Sequence, residues 1–373
     1  MVNMKRSGIL IFFAFLLTAV IFCNFVYAAT GSLDQKVYNW ICLQQGSNGL
    51  VVETEDGDMV SLYSNSLAAI VFTDRGDSKR AQKIFNWFKE NREEFNTLPG
   101  GFSQFRDANG FTGNPHRWMG DNAWFLIALR CYETKTGDKQ FRPLAKDIEK
   151  WLRSLQDADG GLWGGYEADG KRIHKVTEGI IDALNAVEGY DDFHKNILRF
   201  LRKYRWDSQN HVFTTAWQPY NYAPDLISWG YLALGDEYRN MLSFADRFIV
   251  TKVSALDKEV KGIAFDLVDK DAIWLEVTAQ MALAYKVAGM KDKAKALISE
   301  IEKMYESSSR NSEAGGIVYS SNLGTMFGPG PLWEGADYKP HLGTSCWYLM
   351  AKWGIDPMKI GREELIKNMK INR

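Results

Sequence analysis

The residues of this 373-residue sequence best suited to chemistry are carboxyl groups at, or just inside, the starts of apolar segments. They are Glu53, Glu55, Asp56 and Asp58, then Asp121, Glu178 with Asp182 one turn on, Asp225, Asp271 with Glu276, and Glu334 with Asp337. Two carboxyls can share the breaking of an acetal: one protonates the leaving oxygen while the other acts as base or nucleophile from the far side. An acid at a helix start can equally cap exposed N–H groups and meet the positive end of the helix dipole. That alternative is weaker for Glu276, between Trp274 and Thr278, and for Asp182, inside Ile180–Leu184. A carboxylate buried within an apolar helix is costly without a partner or a task.

Aromatic residues crowd the same segments. Of 13 tryptophans, Trp118, Trp163, Trp217, Trp274 and Trp333 fall in or beside long loops, and Trp124 follows Asp121 by three residues. Sugar rings present C–H faces that pack on indole, so these tryptophans are candidate substrate platforms, with packing as the alternative for each. Trp87, Trp151 and Trp353 lie in amphipathic or apolar helical patterns and are expected in the core.

The elements that must position these groups repeat. A loop rich in Gly and aromatics leads to an acid, then a mostly apolar helix, a tight turn, and an amphipathic basic helix. The apolar helices are predicted from Met59, Asn122, Gly179, Leu226, Ala272 and His341. Their turns read Arg75-Gly76-Asp77, Thr136-Gly137-Asp138, Glu188-Gly189-Tyr190-Asp191, Leu234-Gly235-Asp236, Ala288-Gly289-Met290-Lys291-Asp292 and Trp353-Gly354-Ile355-Asp356. In each, Gly suits a left-handed cap and Asp can start the next helix. The partners, such as Ser78–Phe95, Lys139–Leu155, Asp192–Tyr204, Glu237–Phe248 and Lys291–Tyr305, carry one apolar stripe and belong outside; Leu33–Gln44 precedes the first pair.

Helices apolar nearly all round need burial on every face, which a closed ring wrapped by outer helices supplies. The expected fold is therefore all-α, a single (α/α)6 toroid over residues 29–373. Short turns fall on one rim, with the long loops and acids on the other. An open solenoid would need polar capping helices, which the apolar His341–Lys352 segment does not offer. The segments Trp118-Met119-Gly120-Asp121-Asn122-Ala123-Trp124, Thr177-Glu178-Gly179-Ile180-Ile181-Asp182 and Trp274-Leu275-Glu276-Val277-Thr278-Ala279-Gln280, set in this order of hairpins, resemble the six-hairpin glycosidase superfamily. The likeness spans the mature chain and assigns no single glycoside hydrolase family.

What the resemblance implies is carbohydrate chemistry by carboxylate acid/base catalysis. On facing second and fifth inner helices Asp121 and Glu276 confront one another; a separation of about 6.5–9.5 Å would leave room for a water and give inversion, about 5 Å retention. The expected roles are Glu276 or Glu178 as acid, Asp121 as base, and Asp58, Asp225 and Asp182 as sugar-positioning acids, with Asp58 and Asp225 as an alternative pair. A polysaccharide lyase, a sugar epimerase and a noncatalytic glycan-binding accessory protein are the competing readings on one scaffold. Arg106, Arg117, Lys171, Arg172 and Lys175 would serve a lyase, and His116, His174 and His341 could supply its base.

Other classes lack their residues. No CxxC, HxH or HExxH spacing occurs, no GxGxxG or GK[ST] loop precedes a helix, and Asp157–Gly161 is half a calcium loop without its downstream Glu, so neither metal nor cofactor is expected. A formal charge of -1 offers no field for nucleic acid. Cys42, Cys131 and Cys346, odd in number and far apart, read as buried free thiols. Residues 1–28 carry Lys5-Arg6, an apolar run Ile9–Phe25 and small-residue Ala28, the layout of a signal peptide, with an uncleaved anchor as alternative. A secreted or periplasmic monomer without stable membrane insertion after cleavage is expected.

Overall fold

The computed structural model describes residues 31–371 apart from 114, 216–219, 269, 324–325, 328–329 and 332–337. The signal segment and the candidate residues Trp217, Trp333, Glu334 and Asp337 lie outside the described residues.

Among the described residues, six helices carry almost no exposed side chains: α2 (Leu62–Asp74), α4 (Met119–Thr136), α6 (Thr177–Ala186), α8 (Pro224–Leu234), α9 (Leu275–Val287) and α11 (Leu342–Trp353). Every residue from Leu62 to Thr73 is buried, as is all of α8. Each packs on the next, α11 packs on α2, and the ring is closed. The outer layer is α1 (Leu33–Gln44), α3 (Ser78–Glu90), α5 (Arg142–Ser154), α7 (Asp192–Tyr204) and α10 (Lys291–Glu302). These bury one stripe: in α5 it is Leu144, Ile148, Trp151 and Leu152, the spacing of one helical face. α1 serves as outer partner of α11, where Trp353 Nε1 donates to Asp34 at 2.8 Å. The C-terminal α12 (Glu363–Ile371) follows a segment that Arg130 ties under the ring, its guanidinium donating to the carbonyls of Asn185, Pro357 and Ile360.

All six inner-to-outer turns carry a glycine in the left-handed region, Gly76, Gly137, Gly189, Gly235, Gly289 and Gly354, with φ between +73° and +86°. A side chain there would cost energy through its Cβ, so the turn is written into the residue type. These turns share one rim. The opposite rim is built from long loops that pair into two-stranded antiparallel ribbons, such as Met59–Ser61 with the distant Phe105–Asp107 and the hairpin of Ile249–Val253 with Glu259–Ile263.

The fifth inner helix starts at Leu275 rather than Ala272, Ser78–Phe95 divides into Ser78–Glu90 and Arg92–Asn96, and two further segments change type. The segment expected as one outer helix, Glu237–Phe248, forms a 3-10 turn (Asp236–Tyr238), a four-residue α turn (Met241–Phe244) and a second 3-10 turn (Ala245–Phe248). Its buried Tyr238, Met241, Phe244 and Phe248 recur near every third residue, and Ser243 bonds back to the Asn240 carbonyl, both of which suit a three-residue turn. The first inner helix starts at Leu62 rather than Met59, because Met59–Ser61 is taken into a strand.

The ring axis is filled by side chains. Tyr63, Trp124, Trp229 and Trp347, from α2, α4, α8 and α11, meet with ring centroids 5.5–6.5 Å apart. This aromatic plug separates the two rims. Cys42, Cys131 and Cys346 are free thiols. No described helix is long and apolar enough to cross a membrane.

Candidate active site

Above the plug, on the long-loop rim, lies a cavity of about 380 Å³. Its floor is the plug itself (Tyr63, Trp124, Trp229); its wall carries Asp121, Glu178, Asp182, Asp225 and Glu276; Trp118, His174 and Trp274 also line it. None of the five acids is the N-cap of its helix: those positions are held by Trp118, Val176, Ala223 and Trp274. Capping therefore does not account for them, although Asp225 does accept the Leu226 N–H at 2.8 Å.

Two glycines bring the acids together. A Cβ on Gly179 of α6 would sit 3.4 Å from Gly120 Cα of α4, so these helix ends touch backbone to backbone. Asp121 and Glu178, each next to one of these glycines, are thereby drawn onto the same cavity wall.

The electrostatics are those of crowded, desolvated carboxyls. Burial, reinforced by the Asp225 and Asp182 charges, raises Glu178 well above the usual range. Asp225 is itself pushed by burial up to about 6, held there by the Leu226 N–H and by Glu178. Burial also raises Asp182, with help from Asp225 and Asp121, and raises Asp121, with help from Glu53. Glu276 is pushed by burial up to about 8 against the Tyr63 hydrogen bond, which favours its ionised form. Tyr63 Oη donates to Glu276 Oε1 at 2.9 Å and accepts from Trp347 Nε1 at 2.7 Å, a chain across three inner helices.

Behind the wall, Glu53 accepts from the Ser61 hydroxyl at 2.6 Å and lies 3.3 Å from His341 Nε2. Burial holds His341 down to about 3 and lifts Glu53 to about 7, so this contact joins a neutral imidazole to the carboxyl and is not an ion pair at neutral pH.

The structure sorts the sequence candidates. It brings Asp121, Glu178, Asp182, Asp225, Glu276, Trp118, Trp124 and Trp274 to one cavity. Asp58 is not there: with Met59–Ser61 in a strand it sits exposed in the preceding loop, so pairing it with Asp225 has no geometric basis. Trp163 is also away from the cavity lining, its ring covered by Arg172 and Lys175 at 5.4 and 5.1 Å. The acids in direct contact are Glu178 and Asp225; the charges acting on Glu276 come from Glu53 and Asp225. Tyr63, Trp229 and Gln280 were missed, since within apolar helices they read as core. The available signal was a polar residue on an all-buried helix, as in Ser228-Trp229 and Thr278-Ala279-Gln280. Among the described residues no group of three or more His, Cys, Asp or Glu is placed to hold a metal ion.

Solved structures share this architecture along nearly the whole chain. A sugar epimerase from a ruminal bacterium superposes with a TM-score of 0.60 at 13% identity, covering 87% of this chain and 97% of that one. A glycosidase in complex with glucose gives 0.62 at 12%, covering 88% and 96%. The fold is that of the six-hairpin glycosidases. An endo-beta-1,2-glucanase from Chitinophaga pinensis, at a TM-score of 0.55 and 10% identity over 91% and 94%, belongs to the same set of shapes. No protein-family model and no curated protein matches the sequence.

Proposed function

We propose that the chain is a glycoside hydrolase acting on a poly- or oligosaccharide, with Glu178 as general acid and Asp121 as the carboxylate that activates water. The observation that carries this is the gathering of Asp121, Glu178, Asp182, Asp225 and Glu276 on the wall of one indole-lined cavity. A general acid must hold its proton at the working pH, and burial beside a like charge holds it on Glu178. Asp121 lies on the neighbouring helix with Oδ2 free of hydrogen bonds among the described residues, and burial makes it a stronger base than an exposed aspartate. Neighbouring structures described as glycosidases and a glucanase support the substrate class. Single displacement with inversion follows if a water fits between acid and base, and proton NMR of the newly released anomer reads the outcome directly.

The deciding experiment is product analysis on a panel of polysaccharides, followed by Glu178→Gln. New saturated reducing ends are expected. E178Q should lose about 10²–10⁴-fold in turnover of natural glycans but far less on aryl glycosides, whose leaving groups need no proton. Unsaturated products would replace hydrolysis with elimination. Equal losses on both substrate types would remove Glu178 from the acid role. Because His174 lines the cavity and one neighbour is an epimerase, free sugars belong in the panel, and a new epimer without bond cleavage would decide for that chemistry. The same reading has the enzyme exported behind residues 1–28 as a monomer, checked by the mass of the mature N-terminus and by light scattering.

A further inference from the structure

We propose that the outer face of α7 is a surface site for an extended polyuronate chain, holding the protein on an acidic polysaccharide without entering the reaction. Lys195, Arg199, Arg202 and Lys203 stand exposed on that helix and, with Tyr190 and Leu198, line a groove of about 520 Å³. No acid is among its described lining residues. In a protein of formal charge -1, four cations gathered on one face are a local departure. The groove shares no lining residue with the acid-walled cavity, and α7 packs outside α6, so the two sites are separate. The proposal holds whether or not the cavity hydrolyses glycans.

The cations are only loosely engaged. Lys195 and Arg202 face Asp192 and Glu237 at 3.6 and 3.7 Å, exposed pairs of little strength. Arg199 donates to Asn196 Oδ1 at 3.1 Å and Lys203 lies over the Tyr204 ring at 4.8 Å, so neither is in an ion pair among the described residues. Lys195, Arg199 and Arg202 follow one another at intervals of four and three residues, which sets successive charges about 6 and about 4.5 Å apart along the helix axis. That is close to the rise of one pyranose in an extended chain, so a polymer with a carboxylate on every sugar meets a cation at each step. Guanidinium groups pair with carboxylates through two hydrogen bonds, and the half-buried Tyr190 offers its ring to a pyranose C–H face. A lipid surface would need apolar side chains to insert, and Leu198, the aliphatic residue of the groove, is 7% exposed.

The test is a binding titration of the full protein with fluorescently labelled polygalacturonate oligomers at low and high salt. Their methyl esters, phosphatidylglycerol vesicles and single-stranded DNA are run alongside. Polygalacturonate should bind at low salt, weaken severalfold between about 50 and about 200 mM salt, and bind about tenfold or more tighter than its methyl ester. The double reversal Arg199→Glu with Lys203→Glu should weaken it about tenfold or more while the melting point, and turnover of any small glycan the protein cleaves, stay unchanged. Should that variant melt early, Arg199→Gln with Lys203→Gln gives the same comparison. Glu178→Gln should bind polygalacturonate as the wild type does; a loss there would put the polyuronate in the cavity and overturn the groove. No binding at low salt, an ester bound as tightly as the acid, or binding untouched by the charge changes on α7 also overturns the proposal. Vesicles or DNA bound more tightly than polygalacturonate would do so too, by assigning the groove to a different anion.

Discussion

The pair Glu178 and Asp225 sets the expected pH dependence. Catalysis in the proposed scheme needs Glu178 protonated and Asp121 and Asp225 ionised; burial raises Asp121 and pushes Asp225 up to about 6. As pH falls Asp225 takes up a proton near 6 and the base Asp121 is protonated too, so kcat/KM should fall on the acid side. The alkaline limb belongs to Glu178, and E178Q should flatten it. The limbs belong to the pair as a unit. A second residue-scale prediction concerns Gly343. Its Cβ would lie 2.7 Å from Glu276 Oε2, so Gly343→Ala should displace that carboxyl and cut activity at least tenfold. An ordinary helical Gly→Ala change stabilises by about 0.5–1 kcal/mol, and a melting curve should show that gain missing here. At this scale the sequence is half legible. A carboxyl inside an apolar run betrays itself by cost, as Asp182 and Glu276 do, whereas an inward tryptophan such as Trp229 looks the same whether it lines a cavity or fills a core.

Helices, not loops, fix the positions of these groups. Tyr63 ties α2 to α9 and α11 through Glu276 and Trp347. Tyr63→Phe leaves the buried Trp347 N–H and one Glu276 oxygen without that partner, a loss of about 1–3 kcal/mol in denaturant unfolding. The same variant should drop kcat more than it raises KM, because Glu276 is loosened while the cavity keeps its shape. Gly179 offers a complementary test: its Cβ would meet Met119 Cε at 2.9 Å and Gly120 at 3.4 Å, so Gly179→Val should spread α4 from α6 and reduce activity more than stability. The order of hairpins was legible because each turn combines a glycine that must be left-handed with an apolar helix before it. The broken outer segment Asp236–Phe248 was not, since over a dozen residues a three-residue apolar spacing and the 3.6 of a helix are hard to tell apart. Nor was the strand Met59–Ser61, whose pairing with Phe105–Asp107 depends on residues more than forty positions away.

For the molecule as a whole, the buried acids make stability a function of pH with a definite sign. Glu276 titrates from 4.5 in the unfolded chain to about 8 in the fold, so between those values the native state holds a proton that the unfolded state has released. Stability therefore falls as pH rises across that window, by roughly 1.4 kcal/mol per unit at most for this group, and Glu53, lifted to about 7, adds in the same direction. Glu276→Gln should melt close to the wild type near pH 5 and clearly above it near pH 8; because neutral His341 works in the opposite sense only up to 6.5, a wild-type melting point that climbs between pH 7 and 8 would contradict the buried-acid picture. Arg130, half-buried beneath the ring with three backbone carbonyls from two distant segments, should be costly to lose, and Arg130→Met is expected to remove about 1–3 kcal/mol and free the C-terminal segment to protease. The ring's last joint has a consequence for synthesis. Helix α11 must dock between α9 and α2 with α1 on its outside, so the joint unites the earliest and latest helices of the ring. A nascent chain stays an open arc, its central tryptophans Trp124 and Trp229 lacking Trp347, until α11 has been made. Such a chain has to be sheltered from aggregation for most of its translation, and a truncation that removes α11 should yield an arc that sticks to its neighbours rather than a smaller ring.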